Sequence, residues 1–99
     1  MSTRATIKFT DECGDSFYVY RGHDGFPDII LPDIKTTIDK ATGRWGGSGI
    51  GQLLSLFFGE AYRGKSRIQE YELTTDFHGD ESYRYFVDFV DKEWIVSVA

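Results

Sequence analysis

Residues 83–98 read YRYFVDFVDKEWIVSV, and this stretch decides the fold class. Apolar side chains recur at alternate positions before Asp91 and again after it, which is the period of two typical of half-buried strands. Asp91-Lys92 interrupts the alternation, so the sequence predicts a turn that joins two strands. The apolar side of this strand pair consists of Tyr83, Tyr85, Val87, Phe89, Trp94, Val96 and Val98.

Three further strands are predicted on the same grounds. Residues 4–10 and 16–21 alternate in polarity, and the short turn cluster at 11–15 predicts an antiparallel hairpin between them. Another alternating run covers 71–77 and is followed by a predicted turn at 78–81. We therefore expect an antiparallel sheet of about five strands. Tyr18, Tyr20 and part of the 83–94 set would lie on its open face, where they invite a dimer partner or a ligand.

Two helices are expected to cover the other face. Ile30, Ile34, Ile38 and Ala41 recur at helical spacing over residues 28–41, with Pro32 placing the regular start near residue 32. Residues 43–49 form a glycine-rich connector, and 50–62 carry a wide apolar helical face. The prediction is a single α+β domain over 1–99, a two-layer sandwich with element order β-β-α-α-β-β-β.

Composition limits the class of protein. The chain has 99 residues, 16% aromatic side chains and one cysteine, so we expect one folded domain without an internal disulfide. It contains no apolar run long enough to cross a membrane, and its first residues lack the apolar core of a signal peptide. These features favour a cytoplasmic protein. His and Cys spacing fits no zinc pattern, so neither a metal nor a cofactor is predicted.

Charge is unevenly distributed along the chain. Residues 68–99 hold eight Asp/Glu and two Lys/Arg, although the whole chain has a net charge of −5. Free nucleic acid would be repelled by such a segment, whereas a basic protein surface would be attracted. A solvated acidic face that keeps the protein soluble is the alternative explanation. The residues predicted to bind a partner are Glu70, Glu72, Asp76, Asp80, Glu81 and Asp88.

Two glycine-containing segments are candidates for binding a ligand. Residues 20–27 bring Tyr20, Arg21, His23 and Asp24 into a tight loop at a strand end, although a simple turn explains the same pattern. Residues 43–51 precede a predicted helix, where backbone N–H groups hold anions. Arg44 and Trp45 would assist there, the tryptophan by stacking on a base, and a flexible connector is the alternative.

The N-terminal third resembles a group of small proteins encoded by bacteriophages and mobile elements. The matching residues are Ser2-Thr3-Arg4-Ala5-Thr6-Ile7 and the run from Tyr18 to Pro27. The group shows Ser-Thr-Arg-x-x-Ile and then Tyr-Arg-His-x-Asp-Gly-Tyr-Pro, and here Gly22 replaces the first His and Phe26 the Tyr. No activity is settled for the group, so the resemblance assigns no catalytic residue. It implies a phage or prophage accessory protein, a class that often inhibits host defence.

Four functions are compatible with these features. The first is a non-enzymatic inhibitor, active in the bacterial cytoplasm, whose acidic surface imitates nucleic acid and blocks a host defence complex such as a CRISPR effector. The second is an oligomeric sponge that sequesters a nucleotide signal. The third is a small hydrolase that uses His23 and Asp24, although the sequence shows no identifiable nucleophile beside them. The fourth is a structural subunit whose exposed aromatic side chains form a homodimer. The sequence favours the first.

Overall fold

The computed structural model describes residues 3–45, 57–58, 71–91 and 93–99, with the side chains of residues 40–45 outside that description. The described residues form an α+β fold with a five-stranded sheet and one helix, so the predicted fold class is confirmed. No helix among them is both long and apolar enough to cross a membrane. The elements are β1 (Ala5–Thr10), β2 (Ser16–Arg21), α1 (Pro27–Trp45), β3 (Tyr71–Thr74), β4 (Tyr83–Val90) and β5 (Glu93–Val98).

The sheet is mixed, which corrects the expectation of an antiparallel one. Its strand order is β3-β2-β1-β4-β5, and β1 pairs with β4 in parallel while the other neighbours are antiparallel. After β3 the chain crosses two strands through residues 75–82 before β4 begins. The predicted turn at 78–81 is therefore part of a crossover, and β3 ends at Thr74 rather than at residue 77. Alternation shows which residues form strands but does not show which strands pair.

The core lies between α1 and one face of the sheet. β1 is the central strand, so Ala5, Ile7 and Phe9 are covered by strands on both sides and by the helix above. The predicted hairpin of β1 and β2 is confirmed, with Ile7 opposite Val19. The buried apolar cluster consists of Ala5, Ile7, Phe9, Val19, Ile30, Ile34, Phe57, Tyr71, Tyr85 and Val87.

Helix α1 starts earlier and ends later than predicted. Pro27 occupies its first turn, where the missing N–H is not needed, and the Phe26 carbonyl accepts hydrogen bonds from the N–H groups of Ile29 and Ile30. Pro32 consequently lies inside the helix. The helix continues to Trp45, so residues 43–45 of the predicted connector are helical.

The second predicted helix, 50–62, lies outside the described residues except at Phe57 and Phe58, which are helical. Phe57 is buried and packs edge-to-face against Phe9 and Tyr71, with ring centroids 5.5 and 4.8 Å away. Edge-to-face aromatic pairs at this distance stabilise a core beyond the area they bury. The apolar residues at 57–58 thus contribute to the core over the strands at the β3 side of the sheet.

Two hydrogen bonds connect the loop from Gly22 to Pro27 to the chain just before β1 and to β4. The Gly25 N–H donates to the Thr3 carbonyl at 2.9 Å, and the buried Tyr85 hydroxyl donates to the Gly25 carbonyl at 2.6 Å. Burial raises the pKa of Tyr85 to about 12, which keeps this hydroxyl protonated as a donor. Asp24 adopts a left-handed backbone with φ of 54°. Residues 22–27, the most distinctive segment of the sequence, therefore form a loop that is hydrogen-bonded to the sheet and to the residues that precede it.

Replacing Gly25 with Ala should destabilise the protein by about 1–3 kcal/mol, since overpacking costs roughly that much. A Cβ at this position would lie 2.7 Å from the Ala5 Cβ and 3.0 Å from the backbone of Ala5 and Arg4, which cannot easily move. Chemical denaturation measures the effect. Gly22→Ala is the control, because its Cβ would meet Tyr20 at an ordinary 3.8 Å. Equal stability of the two variants would contradict this account of the loop.

Candidate functional site

The crossover of residues 75–82 covers part of the open face of the sheet. The Phe77 ring contacts Tyr18 and Phe86, with centroids 5.2 and 5.8 Å away. The His78 ring stacks on Tyr20 at 3.6 Å, nearly parallel to it. These aromatic side chains were predicted to invite a dimer partner or a ligand. The chain's own crossover instead contacts Tyr18, Tyr20 and Phe86.

Glu81 anchors this crossover through a fully enclosed carboxylate. One oxygen accepts hydrogen bonds from the Thr6 hydroxyl at 2.6 Å and the His78 N–H at 2.9 Å. The other accepts from the Gly79 N–H at 3.0 Å and the Arg84 guanidinium at 3.1 Å. The side chain has no exposed surface. Burial alone would raise the pKa of Glu81, but these hydrogen bonds outweigh it and hold the pKa below its ordinary value.

Asp80 is also engaged within the molecule. Its carboxylate accepts a hydrogen bond from the Tyr20 hydroxyl at 3.2 Å and forms an ion pair with Arg4 at 3.3 Å. Burial, followed by the Asp80 charge, raises the pKa of Tyr20, so the hydroxyl remains a donor. Asp80 and Glu81 were both predicted to bind a partner. Both side chains instead hold the crossover against the sheet. Because the Glu81 side chain has no exposed surface, it is not accessible to a partner.

The predicted ligand-binding residues do not converge, because Tyr20 and Arg21 are adjacent on β2 and point to opposite faces of the sheet. Arg21 is buried and donates to the His23 carbonyl at 2.8 Å. Its guanidinium also lies 4.8 Å from the centre of the Tyr71 ring. His23 is half-buried and Asp24 is exposed in the adjoining loop. Arg44 and Trp45 form the end of α1, with side chains outside the described residues.

The cluster around Arg21 is part of the inner face of the sheet. The Tyr71 hydroxyl donates to Asp33 of α1 at 2.6 Å. Burial first, and then this hydrogen bond, raises the pKa of Tyr71 well above its ordinary value. Arg21, Tyr71 and Asp33 thus connect β2, β3 and α1 in sequence. This arrangement gives Arg21 a structural role.

The remaining predicted partner-binding acids are spread out. Glu72 is exposed on β3 and Asp76 is exposed in the crossover, while Asp88 is half-buried on β4. Glu70 lies outside the described residues. Two strands separate β3 from β4, so Glu72 and Asp88 are at least about 14 Å apart at the usual strand spacing. They do not form one patch.

The structure assembles a different acidic surface, at the end of the sheet where β1 and β4 finish. Because these strands are parallel and Thr10 pairs with Asp88, the β1–β2 turn and the β4–β5 turn lie side by side. We call this surface the acidic end. Its carboxylates are Asp11, Glu12, Asp15, Asp88, Asp91 and Glu93.

The acidic end accounts for the net charge of the protein. Residues 11–15 and 88–93 hold six of the sixteen Asp/Glu and one of the eleven Lys/Arg, Lys92. The other ten acidic side chains are matched by ten basic ones, so the net charge of −5 resides in these two segments. In the described part of the chain, the ion pairs Arg4–Asp80 and Arg84–Glu81 involve none of these six carboxylates.

The two turns hold these charges on a defined backbone. The Asp11 carboxylate accepts hydrogen bonds from the N–H groups of Cys13 and Asp15 at 2.9 and 3.0 Å, which closes the first turn. Gly14 and Asp91 adopt positive φ angles of 88° and 51° in the first and second turns. Glu12, Asp15, Asp91 and Glu93 are exposed.

The acidic end is an extended surface. Among the described residues, no group of three or more His, Cys, Asp or Glu side chains is close enough to share a metal ion. Its carboxylates belong to the β1–β2 turn, the β4–β5 turn and the adjoining ends of β4 and β5, so the surface extends across the ends of β2, β1, β4 and β5. Four adjacent strands span about 14 Å. Such a band suits a macromolecular surface with several positive charges.

Sequence reasoning missed most of this surface. Asp88 was predicted, but the residues of the two turns were treated as punctuation between strands. Turn positions in the sequence do identify the ends of strands, yet only the parallel pairing of β1 with β4 brings the two turns to one end. No local pattern encodes that pairing.

Comparisons with known proteins found no matching family model, no matching curated protein and no matching solved structure.

Replacing Glu81 with Gln should lower the free energy of unfolding by about 1–3 kcal/mol at neutral pH, the usual effect of leaving buried hydrogen-bonding groups unsatisfied. The Glu81 carboxylate accepts four hydrogen bonds. The NH₂ group of the introduced glutamine would face some of the same donors and could not accept a hydrogen bond from them. Denaturant titration measures the difference, and Glu72→Gln on the exposed surface is the matched control.

The effect should also depend on pH in a defined direction. The folded-state pKa of Glu81 lies below its ordinary 4.5, so its stabilisation is complete above pH 4.5 and is lost as the pH falls through the folded-state value. The stability gap between wild type and Glu81→Gln should narrow over that range. A gap that stays constant down to the acid transition would show that the charge of Glu81 contributes nothing.

Proposed function

We propose that this protein is a non-enzymatic binding protein whose acidic end engages a basic surface of another protein or protein–nucleic-acid complex. One observation carries the proposal: the net charge of −5 resides in two segments, residues 11–15 and 88–93, that the fold places side by side. A concentrated field of one sign accelerates association with a partner of opposite sign and favours the correct orientation.

The partner is proposed to be a surface that normally binds nucleic acid. Such surfaces present clustered Lys and Arg for phosphate groups, and a band of exposed carboxylates offers them the same charge. Direct binding of nucleic acid by the acidic end is disfavoured by like-charge repulsion. The resemblance of the N-terminal third to phage and mobile-element proteins supports a host defence component, such as a CRISPR effector, as the target.

The geometry gives less support to the two alternatives. A nucleotide sponge built on Tyr20 and Arg21 would need both side chains in one site, and they lie on opposite faces of the sheet. A hydrolase built on His23 and Asp24 would need a partner to relay a proton. Within the described residues, neither of these two side chains has a hydrogen-bond partner.

Neutralising the acidic end should weaken binding to a basic probe. We expect Glu12→Gln, Asp15→Asn, Asp91→Asn and Glu93→Gln, combined in one variant, to reduce affinity for an octalysine peptide by about tenfold or more. Biolayer interferometry in 0.1 M salt is suitable, because screening over about 10 Å then separates local from distant charges.

The matched control removes four exposed carboxylates elsewhere through Asp24→Asn, Asp39→Asn, Glu72→Gln and Asp76→Asn. Both variants have the same net charge, so a difference in affinity between them is due to the position of the carboxylates that were removed. Equal loss in the two would show that only total charge matters and would reject the acidic end as a site.

The defence-related part of the proposal has its own test. Expression of the wild-type chain in bacteria that carry an active CRISPR system should raise the plating efficiency of a targeted phage, and the acidic-end variant should not. The control variant should behave like wild type. Rescue by the acidic-end variant at equal expression would exclude this surface from the inhibition.

A further inference from the structure

The β4–β5 hairpin presents exposed apolar side chains on the sheet face that lies opposite α1. Residues alternate between the two faces of a strand, so the neighbours of the buried Tyr85 and Val87 point away from the helix. The paired residues on this outer face are Phe86 and Ser97, Asp88 and Ile95, and Val90 and Glu93. Val90 and Ile95 are 46% and 49% exposed.

Three of these side chains form a diagonal apolar strip across the hairpin. Ile95 lies opposite Asp88, so Phe86 and Val90 are its two diagonal neighbours on β4. Diagonal neighbours on one face lie about 7–8 Å apart, within reach of long side chains. The half-buried Phe86 ring lies 5.8 Å from the ring of Phe77 in the crossover. We call Phe86, Ile95 and Val90 the hairpin strip, which runs from the crossover to the tip of the hairpin.

Two carboxylates of the acidic end border the hairpin strip. Asp88 lies opposite Ile95, and Glu93 lies opposite Val90. In an antiparallel pair, opposite side chains have Cβ atoms about 4.5–5.5 Å apart. Each exposed aliphatic side chain of the strip therefore has a carboxylate beside it on the same face.

Two basic side chains lie near the other end of the strip, and both are directed to other groups. Lys8 of β1 pairs with Phe86, but its ammonium group lies 5.8 Å from the centre of the Tyr18 ring on β2. Arg84 forms an ion pair with Glu81 of the crossover. The described contacts of these two cations thus lie away from the carboxylates at the hairpin tip.

We propose that the hairpin strip docks a cationic amphipathic segment of the partner protein, in which Lys or Arg alternates with aliphatic side chains. This inference rests on the proposed function, because the carboxylates beside the strip belong to the acidic end. The aliphatic side chains of the segment cover Val90 and Ile95, and its cations meet Asp88 and Glu93. An apolar centre with a charged rim is the usual arrangement of a protein interface.

The combination of apolar surface and negative charge selects this occupant. Nucleic acid and anionic membrane surfaces carry negative charge and are repelled by Asp88 and Glu93. A purely basic surface pairs with the carboxylates but leaves Val90 and Ile95 in water, which forgoes the free energy of apolar burial. A basic segment that also carries aliphatic side chains complements both features.

Two peptides of equal charge test the inference. One repeats Lys-Lys-Leu four times and the other repeats Lys-Lys-Ser four times, and biolayer interferometry measures the affinity of the protein for each. The wild-type chain should bind the leucine peptide about tenfold more tightly, because aliphatic burial adds to the attraction between charges. In about 1 M salt, where the screening length falls to about 3 Å, binding of the serine peptide should be lost first.

A double variant removes the aliphatic side chains and keeps the carboxylates. Val90→Thr combined with Ile95→Thr should abolish the preference for the leucine peptide and leave the affinity for the serine peptide unchanged. Threonine is well suited to strands, and circular dichroism checks the fold. Ile29→Thr combined with Leu73→Thr is the matched control, since these aliphatic side chains are 41% and 59% exposed elsewhere. The control should keep the preference.

The outcomes separate this inference from the proposed function. Equal affinity of the wild-type chain for the two peptides would overturn the hairpin strip as a docking surface and leave the acidic end as a binding site. A control variant that loses the preference as fully as the strip variant would also overturn it. If the wild-type chain binds neither peptide, the proposed function fails and this inference fails with it. If the double variant does not fold, Ile95→Thr alone provides the same comparison.

Discussion

The parallel pairing of β1 with β4 is the constraint on which the rest of the molecule depends. It makes β1 a central strand, and it forces the chain to return across the sheet through residues 75–82 before β4 begins. It also places the two tight turns at one end, where their carboxylates gather. A hairpin between β3 and β4 would have left the open face bare and separated those turns. Core, crossover and acidic end thus follow from one pairing.

Glu81 shows how such a crossover is held in place. A loop across a sheet must satisfy its own polar groups and those it covers. The carboxylate meets this requirement by accepting from a β1 hydroxyl, two loop N–H groups and a β4 guanidinium. A buried charge is costly when unpaired, but four donors keep this one ionised. The aromatic contacts of Phe77 and His78 then add apolar burial to the polar anchor.

Local pattern predicted the strands better than the site. Alternation identified the buried faces of β1 and β4, and helical spacing identified Ile30 and Ile34 as core residues. The fold class followed from those signals. Pairing partners did not, because they depend on contacts between residues far apart in sequence. For the same reason Arg21 was grouped with Tyr20 by proximity in the chain, although successive strand residues face opposite ways. Glu81 was taken for a surface acid because its enclosure depends on Thr6 and Arg84.

The two edge strands of the sheet, β3 and β5, differ in length and in charge. β3 is four residues long and carries the exposed Glu72, so it is a poor template for another strand. β5 has six residues with one charge at its start. The carboxylates of residues 11–15 and 88–93 gather where β1 and β4 finish, so the negative field is strongest at one end of the sheet and the rest of β5 is nearly neutral. A field concentrated in this way attracts positive charge to one end of the molecule, whereas carboxylates spread evenly over the surface would attract it without a preferred orientation.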